Sequence, residues 1–282
     1  MTLWLCRTCM NEFPDTEAPP TPDAHGNCPI CADDRQYLPP DGQAWTHADE
    51  LAAEGCRCDL TEVEADLFAL TTDPKAGIGQ RGLLLRTPAG NLLWEPPGHL
   101  DDAAFSAVTA LGPVAIIGAS HPHLVGASVA WSHRLAEHQG SAVDILKHAK
   151  DARWITRPDP VIKQWSGTVG LLPGVRLLDA GGHFPGSSLV HWADGADGRG
   201  VLLTGDTIAI GADRCSVNVM RSYVNNIPLP QPAVQRIADT VAPLTYDRIY
   251  SAFGLLPTDA KRIVELSLDR YIRWLRADVD DY

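Results

Sequence analysis

Six short apolar runs punctuate the middle of the chain, and Gly, Pro or Asp cuts each one off within a few residues. They are Leu83-Leu84-Leu85, Leu92-Leu93-Trp94, Val114-Ala115-Ile116-Ile117, Arg176-Leu177-Leu178, Leu189-Val190 and Val201-Leu202-Leu203. Runs this short between turn residues read as buried strands. Pro88-Ala89-Gly90-Asn91 reads as the hairpin turn joining the first two. Helical spacing appears among and after the strands. One helix begins at Asp101, an N-cap ahead of Ala104, Phe105, Val108 and Leu111. A second starts near Pro232, repeats at Val234, Ile237, Ala238 and Val241, and stops at Pro243. The last carries Val264, Leu268, Tyr271, Ile272 and Leu275 on one face. Hairpins followed by strands alternating with helices predict α/β sheets covered by helices.

The ends of these strands carry the chemistry. Glu95 directly follows Leu92-Leu93-Trp94, and His121 and His123 of Ser120-His121-Pro122-His123 follow Val114 to Ile117. His183 follows Arg176 to Leu178 through Asp179-Ala180-Gly181-Gly182, and Asp206 follows Val201 to Leu203 through Thr204-Gly205. Strands running side by side in one direction would gather these side chains on one rim, as loops at strand ends do in α/β proteins. Three imidazoles and a carboxylate are ligands that zinc accepts, with a position left for water, and they suit iron as well. The two histidines at i and i+2 can share an ion only if the turn curls, which Pro122 favours.

A second cluster lies upstream. Six of the seven cysteines fall within the first 58 residues, and four of them form Cys6-x-x-Cys9 and Cys28-x-x-Cys31. Two tight turns with this spacing present four thiolates to one tetrahedral ion, a structural zinc. The residues between the pairs are too few for a core, so the metal would supply folding energy. Cys56 and Cys58 read as incidental, and Cys215 as a packed thiol. The Pro- and Gly-bearing stretch Leu38 to Gln43 marks the end of this segment, giving a zinc-knuckle or zinc-ribbon-like segment over 1–45 and a main domain over 46–282.

Composition narrows the partners. A formal net charge of −12 opposes binding to phosphate backbones and points to a small-molecule substrate instead of a nucleic acid. No apolar run approaches the ~20 residues of a membrane span, and no signal segment is evident at the N-terminus. Clustered thiols suit a reducing cytoplasm. The oligomeric state is not legible.

Ser120-His121-Pro122-His123, Gly181-Gly182-His183-Phe184-Pro185-Gly186-Ser187-Ser188-Leu189-Val190-His191-Trp192 and Leu202-Leu203-Thr204-Gly205-Asp206-Thr207-Ile208 together resemble the metallo-β-lactamase-fold hydrolases. The order and spacing are similar over roughly residues 62 to 282. The cysteine pairs, the run Cys28 to Leu38, Arg221-Ser222-Tyr223, Ile227 to Pro230 and Arg270 to Leu275 further resemble a branch of that superfamily with a cysteine-rich N-terminus. The resemblance implies an αββα sandwich with a small N-terminal zinc-knuckle segment. It implies that His121, His123 and His183 form the first metal site, that Asp206 is the carboxylate that bridges two metals, and that Glu95 supports the site.

One departure is as informative. The family pattern His-x-His-x-Asp-His has Val125 and Gly126 in its last two places, and no histidine follows His191. A single metal, zinc or iron, is therefore expected on the three histidines and Asp206. The expected activity is hydrolysis of a small ester, thioester, lactone or amide by a mononuclear metal-bound hydroxide. With Val125 in place of the orienting Asp, Asp206 and His191 are the candidate proton acceptors. His99 reads as a loop residue and Arg221 as a pocket-bordering or solvated one. Ser187 and Ser188 lack the nucleophile-elbow context. Two alternatives stand beside the hydrolase: a catalytically attenuated binding or regulatory protein of the same fold, and an iron-dependent oxidoreductase.

Overall fold

The computed structural model describes residues 1–276. Residues 277–282, the end of the domain expected over 46–282, lie outside the described residues. The chain divides into two compact units, one spanning Met1–Trp165 and the other running from Ser166 onward.

In the first unit a short helix, α1 (Ala48–Ala53), precedes a seven-stranded sheet. Its strands are β1 (Arg57–Glu64), β2 (Leu67–Asp73), β3 (Gly82–Leu85), β4 (Asn91–Trp94), β5 (Val114–Gly118), β6 (Asp144–His148) and β7 (Ile162–Trp165), in that spatial order. The pairs from β1 to β4 are antiparallel and those from β4 to β7 parallel. Every residue of β3 and β4 is buried, as strands covered on both faces should be. Gly90 closes the turn between them, donating its N–H to Thr87 O at 3.1 Å. The parallel part needs crossovers: the helix α2 (Asp102–Ala110) lies between β4 and β5, the helix α3 (Ser128–Gln139) between β5 and β6, and the 3₁₀ stretch Ala149–Trp154 between β6 and β7. Asp101 caps α2 by accepting from Ala104 N at 2.6 Å. Its other oxygen accepts from Cys58 N at 2.6 Å, which ties the cap to β1. Leu70, Leu84, Leu93 and Ile117 form the core with Phe105 and Val108 of α2 and Trp131 and Leu135 of α3. Leu5 and Met10 belong to this same core, so the cysteine segment buries its apolar residues in the sheet unit.

The second unit holds a six-stranded sheet of β8 (Thr168–Leu172), β9 (Val175–Asp179), β10 (Ser188–Trp192), β11 (Val201–Gly205), β12 (Arg248–Ser251) and β13 (Leu255–Leu256). Only the β11–β12 pair is parallel. Two helices, α4 (Gln231–Val241) and α5 (Ala260–Leu275), cover it. Val234, Ile237 and Val241 of α4 pack with Val264, Leu268 and Ile272 of α5 on Leu178, Leu189, Leu202 and Ile249. Leu275, expected on the buried face of α5, is exposed at 38% because it stands in the last turn.

The strands expected from the sequence are all present, but in two sheets. Within each sheet the condition for convergence holds. Glu95 and the His121–His123 loop follow parallel neighbours β4 and β5. His183 and Asp206 follow β9 and β11, which share a direction because each is antiparallel to β10. Among the described residues, no helix is long and apolar enough to cross a membrane.

Candidate metal centres

The chain turns sharply where β4 ends. Glu95 takes φ +55°, a left-handed conformation, and its N–H donates to Gly118 O of β5 at 2.8 Å. This fixes the buried carboxylate beside the start of the histidine loop, where it accepts from the Ser120 hydroxyl and from Ser120 N. Ser120 Oγ in turn stands 2.8 Å from His121 Nδ1. A carboxylate only accepts, so the serine proton goes to Glu95 and the imidazole Nδ1–H donates to Ser120. His121 thereby holds its lone pair on Nε2.

Past His121 the backbone enters a single 3₁₀ turn, Pro122–Leu124, with proline at its first position. That turn is the curl the His-x-His spacing requires. It brings the His121 and His123 rings to 5.2 Å between centroids, edge to face. His183 follows β9 through two left-handed glycines, Gly181 (φ +67°) and Gly182 (φ +94°). The φ of Gly182 is one that residues with a Cβ rarely adopt, which is why glycine stands here. His183 Nδ1 donates to Met220 O at 3.2 Å, again leaving Nε2 to coordinate. Rings held by a second bond on Nδ1 are the arrangement that metal-binding histidines use. One ligand atom from each of His121, His123 and His183 lies within 4.8 Å of the other two, and all three residues are buried. The donor set fits a metal ion.

Asp206 is not part of that 4.8 Å group. Burial pushes its carboxyl up to about 7. Tyr223, named in the sequence only as part of Arg221-Ser222-Tyr223, lies near both His183 and Asp206. Its ring is 5.6 Å from that of His183, and its hydroxyl is 2.9 Å from Asp206 O. Nothing in its spacing along the chain signals this contact. His191 lies outside the group as well. Its Nε2–H donates to Thr245 O at 2.8 Å and its Nδ1 accepts from Arg176 at 3.3 Å, so both ring nitrogens are engaged. Burial holds its pKa below the usual histidine value. His99 is buried, with Nε2 3.1 Å from Cys56 O, and helps anchor the start of β1.

The two places where the resemblance implies ligands for a second metal, Val125 and Gly126, take a different form. Gly126 has φ +54°, and a Cβ built there would stand 2.0 Å from Pro96 O. No side chain of any kind fits at this place. Val125 is buried and lines a small cavity with Glu12, Lys147 and Arg157. The backbone itself therefore excludes a histidine at Gly126.

The cysteines form a complete shell. Cys6, Cys9, Cys28 and Cys31 are buried, with their sulfurs all within 4.8 Å of one another. A tetrahedral ion with metal–sulfur bonds of about 2.3 Å places sulfurs roughly 3.8 Å apart. Here Cys6 and Cys31 are 3.7 Å apart, and Cys9 and Cys28 are 3.8 Å apart. Side-chain amides support two of them, with Asn11 donating to Cys9 Sγ and Gln43 to Cys6 Sγ, each at 3.3 Å. Hydrogen bonds from Cys28 and Cys31 push the Cys6 thiol down, whereas burial pushes Cys9 up. Cys56 and Cys58 stand apart from this group, and burial pushes Cys58 up to about 12. Cys215, expected to be packed, is exposed in a loop where its N–H donates to Asp213 at 2.9 Å.

The fold is that of the metallo-β-lactamases. The FIM-1 enzyme of Pseudomonas aeruginosa, solved in a mono-zinc form, is 14% identical and superposes with a TM-score of 0.53, covering 76% of this chain and 96% of that one. The DIM-1 metallo-β-lactamase (10% identity, TM-score 0.54) covers 79% of this chain and 98% of its own. The metallo-β-lactamase of Pontibacter korlensis (14%, 0.52) covers 78% and 99%. No family model matches the sequence. The uncharacterized protein YmaE of Bacillus subtilis (strain 168) is 36% identical over 282 residues, 99% of each chain. This chain belongs to the family of YmaE.

Proposed function

We propose that the protein is a metal-dependent hydrolase of a small ester, thioester, lactone or amide, with one zinc ion on His121, His123 and His183. The observation that carries this reading is the approach of one donor atom from each of three buried histidines to within 4.8 Å of the others. When bound there, zinc supplies Lewis acidity towards a carbonyl oxygen and lowers the pKa of water from 15.7 towards about 7. The chain's own residues prepare for that role. Ser120 and Glu95 fix the His121 ring, and the Met220 carbonyl fixes His183. Asp206, at the end of β11 and with its carboxyl raised by burial, is the residue we assign to proton transfer. His191 is not assigned a proton-transfer role, because both its nitrogens are bonded within the protein. The net charge of −12 favours a small molecule over a nucleic acid as substrate.

The test is elemental analysis of purified chains alongside a panel of ester, thioester, lactone and amide substrates. Two zinc ions per chain and metal-dependent turnover are expected. His183→Ala should bring the zinc content to one and abolish turnover. Hydrolysis that persists after both metals are removed would reject the proposal. Iron in place of the second zinc would favour the oxidoreductase, since imidazole ligands do not separate the two metals.

A second reading has its own support in Gly126. Backbone packing leaves no room for a side chain where a second metal ligand would stand, so a one-metal binding or regulatory protein is a coherent alternative. A panel without metal-dependent turnover, together with retention of one metabolite, would favour it.

A further inference from the structure

Immediately after Cys9 the chain makes a left-handed turn. Met10 N donates to Cys6 O at 2.7 Å, Met10 takes φ +60°, and Asn11 O accepts from Cys6 N at 3.0 Å. The turn carries the Asn11 side chain inward to complete burial. Its amide nitrogen meets two acceptors, Cys9 Sγ at 3.3 Å and the Pro122 carbonyl at 2.9 Å. Pro122 is the residue between His121 and His123. A thiolate and a carbonyl both only accept, so the NH₂ end must face them. Asn11 Oδ1 is buried without a hydrogen bond, a penalty the fold tolerates while keeping the donor pair.

The next residue ties the other end of the same loop. Glu12 N donates to Gly126 O at 3.2 Å. Its buried carboxylate accepts from Val129 N and from Ala130 N at 3.1 Å, satisfying the open N-terminus of α3. Met10 seats against Gly98, where a Cβ would stand 2.3 Å from Met10 O. The histidine loop is thus held at both ends by the residues two and three places beyond a cysteine of the cluster.

We propose that the four-cysteine cluster positions His121 and His123, with Asn11 as the positioning residue that carries the coupling. A metal ion held by the four sulfurs would fix Cys9 Sγ in place, and with it the Asn11 amide nitrogen 3.3 Å away. Asn11 then fixes the Pro122 carbonyl and with it the spacing of the two imidazoles. The segment outside the histidine site is in this way part of its outer support. The inference rests on reading the three histidines as a metal centre and is independent of any substrate.

Cobalt(II) titration of the full-length chain separates the two sites, because thiolate ligands give intense charge-transfer absorption and imidazoles do not. Asn11→Asp keeps the shape of the side chain but removes both donors. It should lower cobalt affinity at the histidine site about 10–100-fold, with the thiolate band and far-UV circular dichroism unchanged, and Asn11→Ala should match it. Wild-type affinity in Asn11→Asp with the cysteines loaded would overturn the proposal. If that variant fails to fold or to load its cysteines, the wild-type chain decides. Stripping the cysteine-bound metal with a mercurial should weaken the histidine site to a similar degree, and unchanged affinity would overturn the coupling. A wild-type chain that binds one cobalt ion, at the cysteines alone, would remove the metal centre itself and this inference with it.

Discussion

The cysteine cluster and the histidine cluster are assembled by opposite routes. The cysteines span residues 6 to 31 and gather through two tight turns, so local spacing is enough to bring them together. The histidines span residues 121 to 183, and one ligand atom from each lies within 4.8 Å of the others although His123 and His183 are far apart along the chain. Four thiolates complete a tetrahedron and leave no room for a substrate, whereas three imidazoles leave a position open. The difference separates a site that contributes stability from one that can perform chemistry, and each half of that statement can be broken.

Breaking the closed site should have the largest effect. Cys28→Ser is expected to cost the first unit several kcal/mol, comparable to the whole stability of a domain at about 5–15 kcal/mol. Thermal melts with and without chelator would show it, and an unchanged melting temperature would erase the distinction between the two sites. Next comes Gly126→His. A left-handed backbone and a Cβ 2.0 Å from Pro96 O should destabilise the fold by about 2–4 kcal/mol in a denaturant titration. A stable variant that gained a second histidine-site metal would show that the loop can open. Ser120→Ala removes only the link between Glu95 and His121, and should weaken histidine-site metal binding about 10–100-fold at nearly unchanged stability. Isothermal titration with zinc after loading the cysteines measures it.

The last effect is read as a slope against pH. Lys147 lines the cavity shared by Glu12 and Val125, and burial holds its ammonium down from 10.5 to about 7. The folded state therefore binds that proton less readily than the unfolded chain. The contribution is fully present above about 10.5 and is lost as pH falls towards 7. Lys147→Met should flatten this slope between pH 10 and pH 7. Parallel slopes in the two proteins would show that the lysine is solvated.

Much of the fold is legible in the sequence because burial imposes a simple rule on central strands. Leu83 to Leu85, Leu92 to Trp94 and Val201 to Leu203 are covered on both faces, so they read as unbroken apolar runs. β1 hides its signal, since Arg57-Cys58-Asp59-Leu60-Thr61-Glu62 stands at a sheet edge with mixed exposure. α3 is hidden for another reason. It starts at Ser128 inside the histidine loop, and its N-terminus is satisfied by Glu12, more than a hundred residues away, so no local capping signal marks it. The partners of His191 were not legible, because alternation along β10 does not tell which polar groups will face it; they are Thr245 O and Arg176.

The sequence by itself determined the residue types at the strand ends, the four-cysteine spacing and the presence of Val125 and Gly126 where the resemblance implies further ligands. These are matters of identity and short separation, which covalent connectivity fixes. Only the tertiary structure decided that Gly126 has no room for a side chain, that Tyr223 lies against His183, and that Asn11 joins the cysteines to the histidine loop. Each of those depends on backbone from a remote segment arriving within a few ångströms, and such proximity is set by packing the sheets and helices together, not by any pattern along the chain.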